Sequence, residues 1–419
     1  YKMNLLKTSV LNGVAVLIKT ATLFILNKIL AVYVGPAGYA VIGQFQNFIQ
    51  MVTTFAGGAI NTAVIKYTAE YGEEFEKQRE VWRTAGSIVL IASFIFSVLI
   101  FFFQKQLSFY IFHTDAYQSI FVWFAAFLTL FNFNALFLAI LNGKKEILRL
   151  VIANIAGSVF SLAVTSFLAI KFHLYGALVA LSIYQSLALL VTLFLCYKSE
   201  WFKLSYLFGK IDKGLAHKFS AFVLMALVSA VCVPISQMVI RSYLTHEYGA
   251  VYAGYWEAMI RLSAAYLILV TTTLGVYYLP RLSELNAIKE IKAEVYLGYK
   301  FIFPLAILGG TVVYLCKDSI IRLLFSADFL PMQDLFLWQL IGDALKIGSW
   351  ILAYLMLSKA MTKLFVITEI SFAISSIALT YICTHIFGFE GVSIAHLLNY
   401  GIYWIVMSFF IFKFLKERA

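Results

Sequence analysis

Apolar runs long enough to cross a bilayer follow one another from about residue 8 to about residue 413, and a membrane helix needs roughly 20 such residues. The longest polar connections, 198–216 and 281–297, are each under ~20 residues, too short for a soluble domain. Twelve spans are expected, at about 8–34, 39–65, 82–104, 117–141, 148–171, 175–197, 217–243, 250–279, 298–316, 332–358, 360–384 and 389–413. The charged segment 66–83 reads as a short surface helix. Only 13% of the residues are charged and 62% are hydrophobic, whereas soluble domains carry roughly 25% charged residues. The pattern excludes a soluble domain held by one anchor.

Lysine and arginine fix the orientation. With the N-terminus inside, twenty-three of the 32 basic residues fall in inside segments, five in outside segments (Lys105, Lys171, Arg241, Lys317, Arg322) and four within spans. Cytoplasmic loops carry such an excess, so both termini are expected to be cytoplasmic. The net charge of +11 is that loop bias and requires no nucleic acid. Cys196, Cys232, Cys316 and Cys383 form no CxxC pair and read as small apolar fillers. Lys2 and Lys7 flank a first apolar segment too long for a signal peptide core, so it is expected to remain as a helix.

The two halves repeat. Gly38-Tyr39-Ala40-Val41-Ile42-Gly43 matches Gly249-Ala250-Val251-Tyr252-Ala253-Gly254 at an offset of 211. Gln118, Phe121 and Trp123 match Gln333, Phe336 and Trp338 at 215, as Gly176 matches Gly391 and Lys198 matches Lys413. Six spans per half is an even number, so both halves insert the same way up. The expected fold is an all-α polytopic membrane protein: two parallel-repeat six-helix bundles, residues 1–205 and 206–419, around a central cleft. Duplication kept only for folding would leave the same trace.

Ionisable groups inside spans are costly in hydrocarbon unless they face protein or water. In the tenth span Gln339, Asp343, Lys346 and Trp350 are spaced i, i+4, i+7, i+11 and share one helical face. The face lines a cavity, or Asp343 and Lys346 form an i,i+3 pair that locks helices. Lys19 lies mid-span in the first helix, where snorkelling is difficult, while Lys28 is near enough the outer end to reach water. Glu257 and Arg261 are an i,i+4 pair in the eighth span, and Glu369 stands alone in the eleventh. The second span is polar without charge: Gln46, Gln50 and Thr53 share a face, with Gln44 and Asn47 beside it. Asn132, Asn134 and Asn154 add amides in the fourth and fifth spans. Amides glue helices together or hydrogen-bond sugars.

No Walker A, HExxH, GxSxG or acidic metal motif occurs, so no metal or cofactor is expected and work must come from a gradient of H+ or Na+, or of the substrate. Should Lys19, Arg261 and Lys346 converge, they form a membrane-embedded anion site suited to phosphate oxygens. Glu257, Asp343 and Glu369 are candidates for ion coupling or for structural pairs. An organic-cation antiporter would favour acids over bases in its cleft, and four in-span bases argue against it. A polymerase or glycosyltransferase would need a large outer loop or a nucleotide-sugar domain, and neither is present.

Four runs resemble a known family: GPAGYAVIGQFQNF at 35–48, AINTAVIKYTAEY at 59–71, YYLPRLSEL at 277–285 and FLPMQDLFLWQLIGDALKIGSWILAYLMLSKA at 329–360. They are similar to Wzx-type flippases, the O-antigen translocases and lipid III flippases of the multidrug/oligosaccharidyl-lipid/polysaccharide exporter superfamily. The resemblance implies movement of an oligosaccharide on undecaprenyl pyrophosphate from the cytoplasmic to the periplasmic leaflet of a bacterial inner membrane. It implies alternating access with ion coupling, and a polysaccharide polymerase and chain-length regulator as partners. It also implies that Lys19, Lys28, Asp343 and Lys346 occupy the family's basic and Asp–Lys positions. Where some relatives carry SDAYL in the eighth helix, this chain has Ser263-Ala264-Ala265-Tyr266-Leu267, so the family's acid is missing there.

Overall fold

A computed structural model describes residues 5–417 except 73, 279, 280, 283, 284, 286 and 360. The side chains of 5–12, 221, 276 and 417 are also outside the description. Lys2, Arg418, the side chain of Lys7 and four residues of the 277–285 run therefore lie outside the described residues. What is described is helical, without strands.

The helices are α1 (Leu5–Tyr33), α2 (Gly35–Phe55), α3 (Asn61–Glu70), α4 (Phe75–Phe102), α5 (Gln104–Phe112), α6 (Gln118–Gly143) and α7 (Ile147–Tyr197). They continue as α8 (Lys213–Tyr248), α9 (Ala250–Tyr266), α10 (Ile268–Thr273), α11 (Ile288–Leu315), α12 (Lys317–Leu324), α13 (Phe336–Ser358), α14 (Thr362–Phe387) and α15 (Gly391–Glu417). Among the described residues eight helical stretches are long and apolar enough to cross a membrane, nine if one bent pair counts as a span. Two of these stretches, 147–197 and 362–416, each contain two expected spans.

Both double stretches turn in the same way. In α7 the backbone leaves the helix at His173, with φ 51°. A Cβ on Gly176 would stand 1.9 Å from the Leu168 carbonyl oxygen, and one on Gly391 would stand 2.3 Å from the Cys383 carbonyl. Leu168 and Cys383 are separated by 215 residues, as are the glycines. Only a residue without a side chain lets the returning helix approach the outgoing one so closely, and the duplicated sequence places it identically in both halves.

Two expected spans are broken. The second bends by 68° between Gly35–Phe55 and Gly58–Glu70. Gly57 takes φ 119°, with Val89 Cα only 2.9 Å from where a Cβ would sit. The Ala56 carbonyl freed by the break accepts from Asn132 Nδ2 at 2.9 Å and from Ser93 Oγ at 2.8 Å. A lone carbonyl in hydrocarbon would cost several kcal/mol, so Asn132 serves here as a cap. The eighth span, expected as one helix over 250–279, is divided into α9, α10 and a π-helical turn at Leu274–Tyr278. Thr271 and Thr273 hydroxyls donate back to the Leu267 and Leu269 carbonyls, a substitution for the backbone ladder that bends helices.

The 66–83 segment is not one surface helix. Its first part ends α3, and its second begins α4, where Gln78, Val81 and Trp82 are buried. Gln78 Nε2 donates to the Thr68 carbonyl at 2.7 Å and Trp82 Nε1 to Thr68 Oγ1 at 3.0 Å. Lys144 donates to Gln78 Oε1 at 3.1 Å and sits over the Trp201 ring, and burial draws its ammonium below the usual lysine range.

The chain divides into two compact units, residues 1–34 with 41–234, and residues 35–40 with 235–419. In the first, Trp82, Phe137 and Leu141 share a core with Leu207, Leu215 and Phe219, so the stretch following α7 packs with the first unit. In the second, Leu274, Tyr278 and Ile302 pack with Ile347, Ile351, Leu355 and Met407. Large apolar side chains remain exposed along the spans: Phe102 71%, Leu315 76%, Ile405 72%. Lipid covers such surface in a membrane protein.

Candidate functional site

The second unit collects most of the in-span charges into two buried networks. The first is built on Glu257 of α9. Arg241 Nη2 donates to Glu257 Oε2 at 2.5 Å, and Arg261 Nε donates to Oε1 at 2.9 Å. One carboxylate is thus shared by two guanidiniums, whose side chains are 2% and 10% exposed. Arg241 also lies over Trp256 and Arg261 over Tyr39, at 5.5 and 5.2 Å from the ring centres. Arg241, assigned above to an outside segment, is instead buried inside α8. The apolar run 217–243 ends beside it, and hydropathy alone cannot tell a flanking cation from an enclosed one.

The second network is built on Asp343 of α13. Its Oδ1 receives His396 Nε2 at 3.0 Å and Gln339 Nε2 at 3.5 Å, and its Oδ2 receives the Tyr266 hydroxyl at 3.0 Å. Ser393 Oγ in turn donates to Gln339 Oε1 at 3.3 Å. The expected face of α13 is present: Gln339 meets Asp343, and Lys346 Nζ lies 4.7 Å from the Trp350 ring centre. Of the two readings of that face, a direct Asp343–Lys346 ion pair is not formed among the described residues, although the two charges stay within electrostatic reach. Asp343 turns to His396, while Lys346 rests on the faces of Trp350 and Tyr400, the latter at 5.6 Å. An ammonium held by ring faces keeps its positive charge available to an anion.

The remaining expected site residues are less enclosed. Lys19 and Gln50 are exposed, while Lys28, Gln46 and Glu369 are half-buried. Glu369 makes no ion pair among the described residues. The structure thus brings Glu257 and Arg261 together, and Asp343 onto the same helical face as Lys346. Of the amides, Asn132 caps a broken helix, and Asn134 Nδ2 donates to Gln185 Oε1 at 2.6 Å. Among the described residues no cluster of three metal-ligating side chains occurs.

His396, Tyr266 and Arg241 are the site residues that sequence reasoning did not assign. His396 carried a signal: it is an ionisable group well inside the apolar run 389–413, and such a group is functional by default. Nothing in the sequence tied it to a carboxylate 53 residues earlier. On another face of the same helix pair, Leu345, Gly401, Trp404, Ile405 and Ser408 line an open apolar groove of about 450 Å3.

Broken spans and buried charge networks inside a multi-pass helical protein are features of membrane transporters. Solved structures carry the same fold. The chain matches an inward-facing multidrug resistance MATE family transporter of the MOP superfamily with a TM-score of 0.78 at 14% identity, covering 95% of each chain. It matches a MATE transporter from Vibrio cholerae with a TM-score of 0.67 at 16% identity, covering 98% of each. In sequence it is 31% identical over 370 residues to the lipid III flippases of Escherichia coli K12 and Shigella flexneri, across 88% of this chain and 89% of theirs. The family model described as polysaccharide biosynthesis protein matches residues 5–286. The chain belongs to that polysaccharide biosynthesis family.

Proposed function

We propose that the protein is a flippase that carries a lipid-linked oligosaccharide across a bacterial inner membrane, with both termini cytoplasmic. The observation that carries this reading is the 31% identity to lipid III flippases over 88% of the chain. The residues suit the cargo. A polyprenyl pyrophosphate needs cations, and Lys346 offers a charge held by aromatic faces. Sugars need amides and aromatic rings, which Gln46, Gln50 and the aromatic-rich spans supply. The prenyl tail stays in lipid.

In this account Lys19, Lys28 and Lys346 each meet the pyrophosphate of an undecaprenyl-linked repeat unit in the course of its passage, and an inward gradient of H+ or Na+ resets the carrier. Arg261 contributes field rather than a contact, because Glu257 holds its guanidinium. Glu257 is read as a structural pair and Asp343 as part of the coupling site. The sequence duplication is the proposed origin of the two compact units, residues 1–34 with 41–234 and residues 35–40 with 235–419. The O-antigen pathway, with a polymerase and a chain-length regulator downstream, is the proposed context.

The test is complementation of a flippase-deletion strain. Lys19→Ala and Lys346→Ala should abolish surface polysaccharide while the protein still reaches the membrane in normal amount. Full complementation by both variants refutes the anion site. Export of drugs rather than glycolipid would appear as drug sensitivity in a deletion of this gene, with surface polysaccharide intact.

A further inference from the structure

The Asp343 network contains a group with no assigned task. His396 is the side chain on which two opposite demands meet: it is held rigidly, yet it is reachable. Its Nε2 lies 3.0 Å from Asp343 Oδ1, and a Cβ on Gly342 would fall 2.5 Å from its Cδ2. Its ring packs edge-on against Tyr400 with centres 4.9 Å apart. Even so, its side chain is 21% exposed, while that of Asp343 is 1% exposed.

Exposure separates the two partners: the His396 side chain reaches water and that of Asp343 does not. Asp343 has three hydrogen-bond partners, His396, Gln339 and Tyr266. An ionised carboxylate accepts from all three. In the neutral ring Nε2 must carry the hydrogen that faces Asp343, which leaves the Nδ1 lone pair as the proton acceptor. Uptake forms one N–H bond at Nδ1 as one O–H bond of a hydronium ion breaks and water is released. The surroundings from each neighbouring helix are Asp343 and Lys346 on α13, Tyr266 on α9, Glu369 on α14 and Tyr400 on α15 itself. Glu369 is within electrostatic reach of Tyr400. Arg261 and Glu257, also on α9, are committed to each other.

We propose that His396 is the proton-binding residue of this carrier, with Asp343 as its fixed counter-charge. The assignment rests on the flippase reading only for its purpose, not for the chemistry. Loading the proton turns the His396–Asp343 contact into an imidazolium–carboxylate pair. It draws α15 toward α13 and competes with Tyr266 of α9 for the same carboxylate. Proton occupancy is thereby written into the packing of three helices, which is what a coupled carrier requires.

The test reads proton binding directly. The full chain, labelled with 15N-histidine and held in lipid nanodiscs, is titrated by imidazole NMR, and His396→Gln identifies the signal. Glutamine keeps a donor toward Asp343 and cannot take a proton. On acidification the signal of the neutral His396 ring should give way to that of the imidazolium, and Asp343→Asn should weaken this proton binding about tenfold. A ring that keeps one protonation state throughout the titration overturns the proposal, as does proton binding indifferent to Asp343→Asn. In proteoliposomes, a pH gradient should accelerate glycolipid movement by the wild type, and the ratio of rates with and without the gradient should fall to one in His396→Gln. An undiminished ratio refutes the role. Absence of glycolipid movement by the wild type counts against the flippase reading, and the NMR titration still decides His396.

Discussion

Glu257→Gln removes a carboxylate that two buried guanidiniums share. The two cations are not equally placed to survive it. Arg261 is 10% exposed and retains the face of Tyr39. Arg241 is 2% exposed and cannot reach water without opening α8 from α9. Removing one partner of a buried ion pair costs about 3–5 kcal/mol. Spread over a unit of this size, that corresponds to a fall of roughly 10 °C in the melting midpoint. The assay is thermal denaturation of the detergent-purified protein followed by size-exclusion chromatography. Arg241→Met deletes the more deeply buried cation and leaves Glu257 paired with Arg261, so it should cost less than Glu257→Gln. Adding Arg241→Met to Glu257→Gln should restore part of the loss. Additive losses in the double variant, or a Glu257→Gln midpoint within about 2 °C of wild type, would refute the charge-compensation argument.

Three other outcomes follow from single positions. Gly342→Ala meets the His396 ring at 2.5 Å and the Leu397 backbone at 3.1 Å, so it should destabilise by about 1–3 kcal/mol, read as a lower melting midpoint. Asn132→Leu deprives the Ala56 carbonyl of one of its two donors and should lower stability by about 0.5–1.5 kcal/mol, whereas Asn154→Leu, on an exposed position, should be neutral in the same measurement. Cys316 is exposed and Cys196 and Cys383 are buried, so a membrane-impermeant maleimide should label intact spheroplasts at Cys316. Labelling only in inverted vesicles would reverse the proposed orientation.

The spans were legible because hydrocarbon demands long apolar runs, and the run lengths are written in the chain. The duplication was legible for a similar reason. Gly176 and Gly391 recur at 215 because each turn needs a residue without a side chain beside Leu168 or Cys383. The breaks were not legible. Average hydropathy continues through Gly57 and through Thr271–Thr273, although the backbone does not. The partners of the charges were also hidden, because they depend on how helices far apart in sequence are rotated against each other. Spacing could bring Asp343 to Lys346, three residues away. It could not show that helix packing offers Asp343 a closer partner in His396, or that Arg241 arrives at Glu257 from the preceding helix.

Reconstitution tests the central claim most directly. The purified protein is placed in liposomes whose inner and outer leaflets contain a polyprenyl-pyrophosphate oligosaccharide, and a lectin added outside reports the fraction accessible over time. Protein-containing liposomes should expose the inner pool, and Lys346→Ala liposomes should not. If the wild type leaves the inner pool protected while an equally folded preparation moves small organic cations, the chain does not carry lipid-linked sugar.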